Sequence, residues 1–257
     1  MRERHQVSQP SMWGTHSLSD GSIRLAALDA RLELASRDGE VWWRAGSGEF
    51  SDEADEPSWT RWVSGTWQDE VRIVPCLPDR PVVVEPEVPF QIAPQGRADV
   101  FVLIPLWARL QSGRGDHVIA EVPLEPPPDT WWGDPTLGEL AYAITTRARR
   151  VASIEDDEAD YAICRLELIN ESTETLPVDQ FAVRCPQLSL FQAESRFWTN
   201  AMRATFNAEV EGSQIEILRD PPPEAIGAKP VSPRRAPVPG RWRALTFSRL
   251  VGPRTGP

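Results

Sequence analysis

Cysteine, histidine and long apolar runs are all scarce in this chain, and each scarcity removes a class of function. The 257 residues hold three cysteines, Cys76, Cys164 and Cys185. They are odd in number and without C-x-x-C spacing, which argues against a disulfide framework and for buried free thiols. The three histidines, His5, His16 and His117, fall in no metal-ligand spacing, so neither a metal nor a cofactor is expected. No apolar run approaches the roughly 20 residues of a membrane-spanning helix, and the N-terminus lacks the apolar core of a secretory signal. A cytoplasmic location follows as the expectation. There is no G-x-S-x-G elbow, and "SGRG" at 112–115 lacks the following Lys-Ser/Thr of a phosphate loop, so nucleophilic and nucleotide chemistry have no motif to rest on. Lysine is nearly absent too: Lys229 is the only one among 27 basic residues, which reads as coding bias rather than guanidinium chemistry.

What is abundant is acid, proline and tryptophan. The net charge is −11, with 25 prolines and 11 tryptophans. The charge is uneven. Residues 227–257 carry seven cations and no acid, so the remaining body carries −18. That body repels polyanions, and nucleic acid is excluded there as a partner. The tail cations Arg234, Arg235, Arg241 and Arg243 are candidates for an anionic contact, either with an anionic membrane surface or with the acidic body itself, the latter being favoured because it is always within reach.

Period-two alternation marks strands throughout. Leu28 to Leu34 places apolar residues on one parity and charges on the other, and Asp38-Gly39 is the dipeptide of a tight hairpin returning through Val41-Trp42-Trp43. Val71–Val74, Val82–Val84, Phe90–Ile92 and Asp99–Leu110 follow at the spacing of a sandwich or barrel, with further strands up to about Leu218. The resulting expectation is an all-β protein, an antiparallel β-sandwich of immunoglobulin-like or jelly-roll-like type. Residues 1–20 are expected to be flexible. Residues 21–218 form the sandwich, in one domain or in two packed halves, 21–150 and 158–218. Residues 219–257 form a Pro/Arg-rich, largely disordered tail.

One run concentrates candidate site residues: Asp129 to Tyr142, "DTWWGDPTLGELAY". Trp131, Trp132, Asp134 and Glu139 could form an acid pair beside stacking rings, as in a sugar cleft. The same residues suit a structural corner, with Asp134-Pro135 opening a type I turn, Gly133 and Gly138 tolerating positive φ, and the indoles capping a core. The corner is the favoured reading. In adjacent pairs such as Trp42-Trp43 and Trp131-Trp132 one ring points to each face, so one of each is a candidate for exposure. Asn200, in "FWTN", is a further ligand candidate, although bonding its own backbone is the cheaper use.

The runs "DTWWGDPTLGELAYAI", "ICRLELINESTETLPVDQFAV", "LSLFQAESRFWTN" and "VPCLPDRPVVVEPEVPFQIAPQGRADVFVLIPLWARL" resemble the prokaryotic domain-of-unknown-function family 432 over residues 22–218. The resemblance implies a stand-alone all-β protein with no established activity, cofactor or catalytic residue. Together these readings point to a non-enzymatic binding or accessory module that meets a protein partner through loops and exposed aromatics. The alternatives are a carbohydrate-binding or carbohydrate-active protein using the Trp/Asp/Glu turn, and a membrane-associated regulator using the tail.

Overall fold

A computed structural model describes residues 11–19, 21–47, 59–63, 69–113, 117–136, 138–146, 148, 159–208, 212–244 and 246–247. The described residues form 22 strands, β1 to β22 along the chain, and one short 3-10 turn at Cys185–Gln187. The protein is all-β, as the alternation requires. The strands divide between two compact units, each discontinuous in sequence: Met1–Cys76 with Leu106–Pro126, and Leu77–Pro105 with Pro127–Pro257. The division does not fall between residues 150 and 158, where the sequence suggests two halves.

The first unit contains two four-stranded antiparallel sheets. One is a meander of β2 (Ser22–Ala27), β3 (Ala30–Arg37), β4 (Glu40–Ser47) and β5 (Thr60–Val63) in that order. Its β3–β4 turn is the one the Asp-Gly dipeptide predicts: Asp38 and Gly39 have φ of 52° and 76°, the paired positive values of a type I′ turn, with Arg37 facing Glu40. Leu25, Leu32, Leu34 and Val41 bury one face. The other sheet runs in the order β1 (Gly14–Ser17), β6 (Glu70–Cys76), β10 (Trp107–Ser112), β11 (Val118–Pro123).

Strand β1 corrects the expectation of a flexible N-terminus to residue 20. Its sequence shows no alternation, yet it pairs residue for residue with β6, and Met12 and Leu18 on either side are buried. Backbone pairing on an open sheet edge needs no side-chain pattern. A second difference concerns Asp99–Leu110, which reads as one strand. The chain instead makes β9 (Arg97–Pro105), which pairs with β14 (Tyr161–Asn170) in the second unit, and then β10 in the first. The break is at Leu106, whose carbonyl accepts from the Leu124 amide at 3.1 Å. Apolar residues on both sides of the break hide it from the sequence.

In the second unit, β14 lies at the centre of an eight-stranded mixed sheet. Its neighbours are β9 and, in parallel, β18 (Arg196–Thr199) and β19 (Met202–Phe206). Alternate residues Val100, Val102 and Ile104 of β9 and Cys164, Leu166 and Leu168 of β14 are fully buried. A separate sheet has the order β12 (Asp129–Trp132), β13 (Glu139–Thr146), β7 (Val82–Pro86), β16 (Phe181–Val183), with β13 and β7 parallel. Strands β8 (Phe90–Ile92) and β15 (Leu176–Val178) form a two-stranded pair.

Where the sequence suggests a largely disordered tail, the described part of 219–257 carries two strands. Strand β21 (Lys229–Ser232) pairs with β17 (Leu190–Ala193), and β22 (Trp242–Ala244) pairs with β20 (Ser213–Ile217), at opposite ends of the large sheet. Proline bars a segment from a central strand because it lacks a donor, but an edge tolerates it, and Pro230 sits in such an edge. Beyond β22, the Ala182 amide donates to the Thr246 carbonyl at 2.9 Å and Phe247 is buried edge-on against Phe206. Among the described residues no helix is long and apolar enough to cross a membrane.

Candidate functional site

The run Asp129–Tyr142 folds into the β12–β13 hairpin, with Trp131 opposite Leu140 and Trp132 opposite Glu139. Alternation sends the two indoles to opposite faces. Trp132 is 5 % exposed and packs with Val83, Ala141 and Ala182, whose short side chains leave room for a ring to lie across the strands. Trp131 is 49 % exposed and its partner Leu140 52 %. Two apolar side chains thus stand together in solvent at the edge of a sheet.

Every carboxylate in the hairpin has a partner. Asp134 Oδ1 accepts from the Thr136 amide at 2.8 Å and from its hydroxyl at 2.6 Å, an Asx turn that spends the side chain on its own backbone. Glu139 is ion-paired with the buried Arg184, and Asp129 with Arg80 at 2.9 Å. Arg80 also lies over the Tyr142 ring at 5.2 Å, and the Tyr142 hydroxyl donates to Asp79 at 2.8 Å. Burial, then this bond and the Asp79 charge, push the phenol up to about 12. A phenol held that high is a structural donor at neutral pH, not a proton shuttle.

The tip is tightly built. Gly133 has φ of 112°, as positive-φ tolerance predicts, but Gly138 is required for a different reason. A Cβ there would stand 2.5 Å from Trp131 Nε1 and 2.6 Å from the Trp132 carbonyl oxygen. The backbone of Gly138 passes under the indole, and its amide donates to the Asp134 carbonyl at 2.7 Å. Trp131 Nε1 donates to that same carbonyl at 2.9 Å. An exposed indole is therefore pinned at its polar end to its own turn.

Asn200 does not join this group. It is buried at the β18–β19 junction, where its Oδ1 accepts from the Ser189 amide and its Nδ2 donates to the Arg219 carbonyl, both at 2.8 Å. That is a clamp between loops with little capacity left for a ligand. The tail arginines are dispersed. Arg235 donates from Nε and Nη2 to the Leu77 carbonyl at 2.9 and 2.6 Å, and Arg241 lies 3.4 Å from Glu216. Arg234 and Arg243 are exposed.

Nothing in the sequence singles out Asp79, Arg80 or Arg184, the residues that fix Tyr142, Asp129 and Glu139. They lie 63, 49 and 45 positions away, and nothing local to either partner announces the pairing. All three cysteines are free and buried. Burial pushes the Cys164 thiol up to about 12, and burial with the neighbouring Cys164 raises Cys185 well above the ordinary thiol range, so neither is a nucleophile. Among the described residues no group of three or more His, Cys, Asp or Glu is placed to hold a metal.

Fold and hairpin together define an all-β protein with an aromatic edge and no free acid pair at it. The chain belongs to the protein family of unknown function DUF432, whose model matches residues 12–248, a longer span than the one the sequence motifs mark. No curated protein and no solved structure matches it.

Proposed function

We propose that this protein is a non-catalytic binding module that engages a protein partner through the β12–β13 edge hairpin. The observation that carries the reading is Trp131, half exposed yet held by its own N–H to the Asp134 carbonyl, beside an equally exposed Leu140. A rigid indole loses little rotamer freedom on binding, which is the economy that makes tryptophan dominate interface energetics. Recognition runs through side chains rather than strand addition, because Pro126-Pro127-Pro128 and Pro135 flank the short edge strand β12 and blunt it against backbone pairing. The carboxylates of the hairpin argue against acid–base work on a sugar, since each is engaged in a turn or an ion pair.

The test compares wild-type protein with the double variant Trp131→Ala/Leu140→Ser, both immobilised and exposed to extract of the cell of origin. A polypeptide retained by the first and lost by the second is the expected result. Equal retention by both, or retention by neither, refutes the reading. Tryptophan fluorescence titrations with oligosaccharides use the same pair of proteins. Saturable quenching that disappears in the double variant would favour the carbohydrate alternative.

A further inference from the structure

We propose a second interaction surface, independent of the hairpin: the outer face of the β2–β5 sheet docks an acidic polypeptide segment of a partner protein. Alternation buries the aliphatic face of this meander and turns Arg24, Arg31, Glu33, Arg37, Glu40, Trp42, Arg44 and Arg61 the other way, with Trp59 just ahead of β5. Five arginines against two glutamates give that face +3. The remainder of a −11 chain therefore carries −14.

The side chains on this face are stacked in alternation. The Arg61 guanidinium lies 5.4 Å from the centre of a Trp42 ring and Arg37 5.1 Å from it. Arg37 also lies 4.9 Å from Trp59, and Arg44 4.8 Å from the same residue. The order is Arg61, Trp42, Arg37, Trp59, Arg44, each contact within cation–π range. Ala35, directly opposite Trp42 on β3, leaves the space in which the ring can lie.

The stack decides what can bind. With guanidiniums already against both indoles, their faces are poorly placed for a base or a sugar to stack on. What is left for a ligand is the N–H fork of Arg37, a group that matches an oxyanion two bonds at a time, since the buried Arg44 spends its fork on Glu33 and Arg61 spends its own on Glu40. Glu33 is taken by Arg24 and Arg44, and Glu40 by Arg61. Arg37 is exposed and makes no ion pair among the described residues, so its donors are unspent; the side chains of Arg24 and Arg61 on the same face are each 54 % exposed.

The remaining charge selects the source of the oxyanions. A long nucleic acid or an anionic bilayer would bring the −14 remainder into a field reaching about 8 Å at physiological salt. A short run of Asp and Glu is of a size that the arginine face can meet. Carboxylates on a polypeptide are thus the partner that this charge distribution accepts.

The test is fluorescence anisotropy of a labelled short Glu/Asp peptide titrated with the full chain at low and physiological salt. Parallel titrations use a single-stranded oligonucleotide and phosphatidylglycerol vesicles. Saturable peptide binding is expected, weakened about tenfold by Arg37→Glu and again by Arg61→Glu, and weakened less by Arg37→Lys, which keeps charge but loses the fork. Arg97→Glu, an equal charge change at an exposed position on β9, should leave it unaltered. Circular dichroism melts of each variant separate lost binding from lost folding, and Arg24→Gln, at a half-exposed position outside the stack, supplies a milder variant if Arg37→Glu fails to fold. Absence of saturable peptide binding, an Arg97→Glu effect as large as that of Arg37→Glu, or tighter binding to the oligonucleotide or the vesicles would overturn the proposal.

Discussion

At the scale of the residue, Tyr142 is the most informative titratable group. Its phenol is buried and bonded to Asp79, and its pKa is raised from 10.0 to about 12 in the folded chain. A raised folded-state pKa means that the unfolded chain ionises first. The stabilisation is complete below pH 10 and is lost as pH climbs from about 10 to about 12. Tyr142→Phe should cost about 1 kcal/mol at pH 7, the worth of a hydrogen bond to a partly solvated carboxylate. It should also flatten the alkaline arm of stability, which urea midpoints measured from neutral pH to pH 11 would show. An unchanged alkaline slope in the variant would remove Tyr142 from this account. The same scale shows where local reading succeeds. Asp134 behaves as an Asp-Pro turn predicts; Asn200 does not follow its local preference, because the backbone it bonds belongs to Ser189 and Arg219, 11 and 19 positions away, rather than to its own turn. Gly138 is misread locally, because the crowding that demands glycine comes from Trp131 and Trp132, not from its own φ.

At the scale of the element, the β2–β5 meander was legible in its inward face and its turn. Leu32, Leu34 and Val41 alternate with polar residues, and Asp38-Gly39 fixes the register. Its outward face was not legible, since a strand's pattern says which residues share a side but not which charges meet across strands. Glu33 shows what that omits: it sits between Arg24 and Arg44, with side chains 4 % and 6 % exposed for Glu33 and Arg44. Removing the charge from Glu33 leaves Arg44 buried without its counter-ion. Glu33→Gln should lower stability by about 3 kcal/mol, toward the low end for broken buried pairs because Gln retains an acceptor. Guanidinium chloride would mask ion pairing, so urea denaturation is the appropriate measurement; a change below about 0.5 kcal/mol would place the pair among surface bridges.

At the scale of the whole molecule, the C-terminal region is part of a folded unit as far as it is described. Strand β21 extends the large sheet beyond β17, β22 closes on β20, and Arg235 bonds the Leu77 carbonyl while the Arg235 and Ala236 amides both donate to the Pro186 carbonyl. A chain ending at Asp220 loses all of these along with the buried Phe247 and Ala225. It should melt several degrees lower, or in a broader transition, because two sheet edges and several apolar contacts are opened to water. Calorimetry of the two lengths would show it, and an identical melting profile would mean that the region contributes nothing to the fold. Composition pointed toward disorder here because proline and arginine count against a core. An edge strand, however, needs only a partner ladder on one side and few apolar side chains.

The sequence by itself determined that the chain is all-β, which residues face inward along most strands, and where the tightest hairpin turns. Each of these follows from a period of two or from one dipeptide's backbone preference. Only the tertiary structure decided that the division into units is interleaved and that β13 and β7 run parallel. Only it decided that Glu139 belongs to Arg184, and that three arginines and two tryptophans form one ladder. Those outcomes join residues tens of positions apart, and the free energy that selects them is the desolvation and pairing of groups that become neighbours only after the chain has folded.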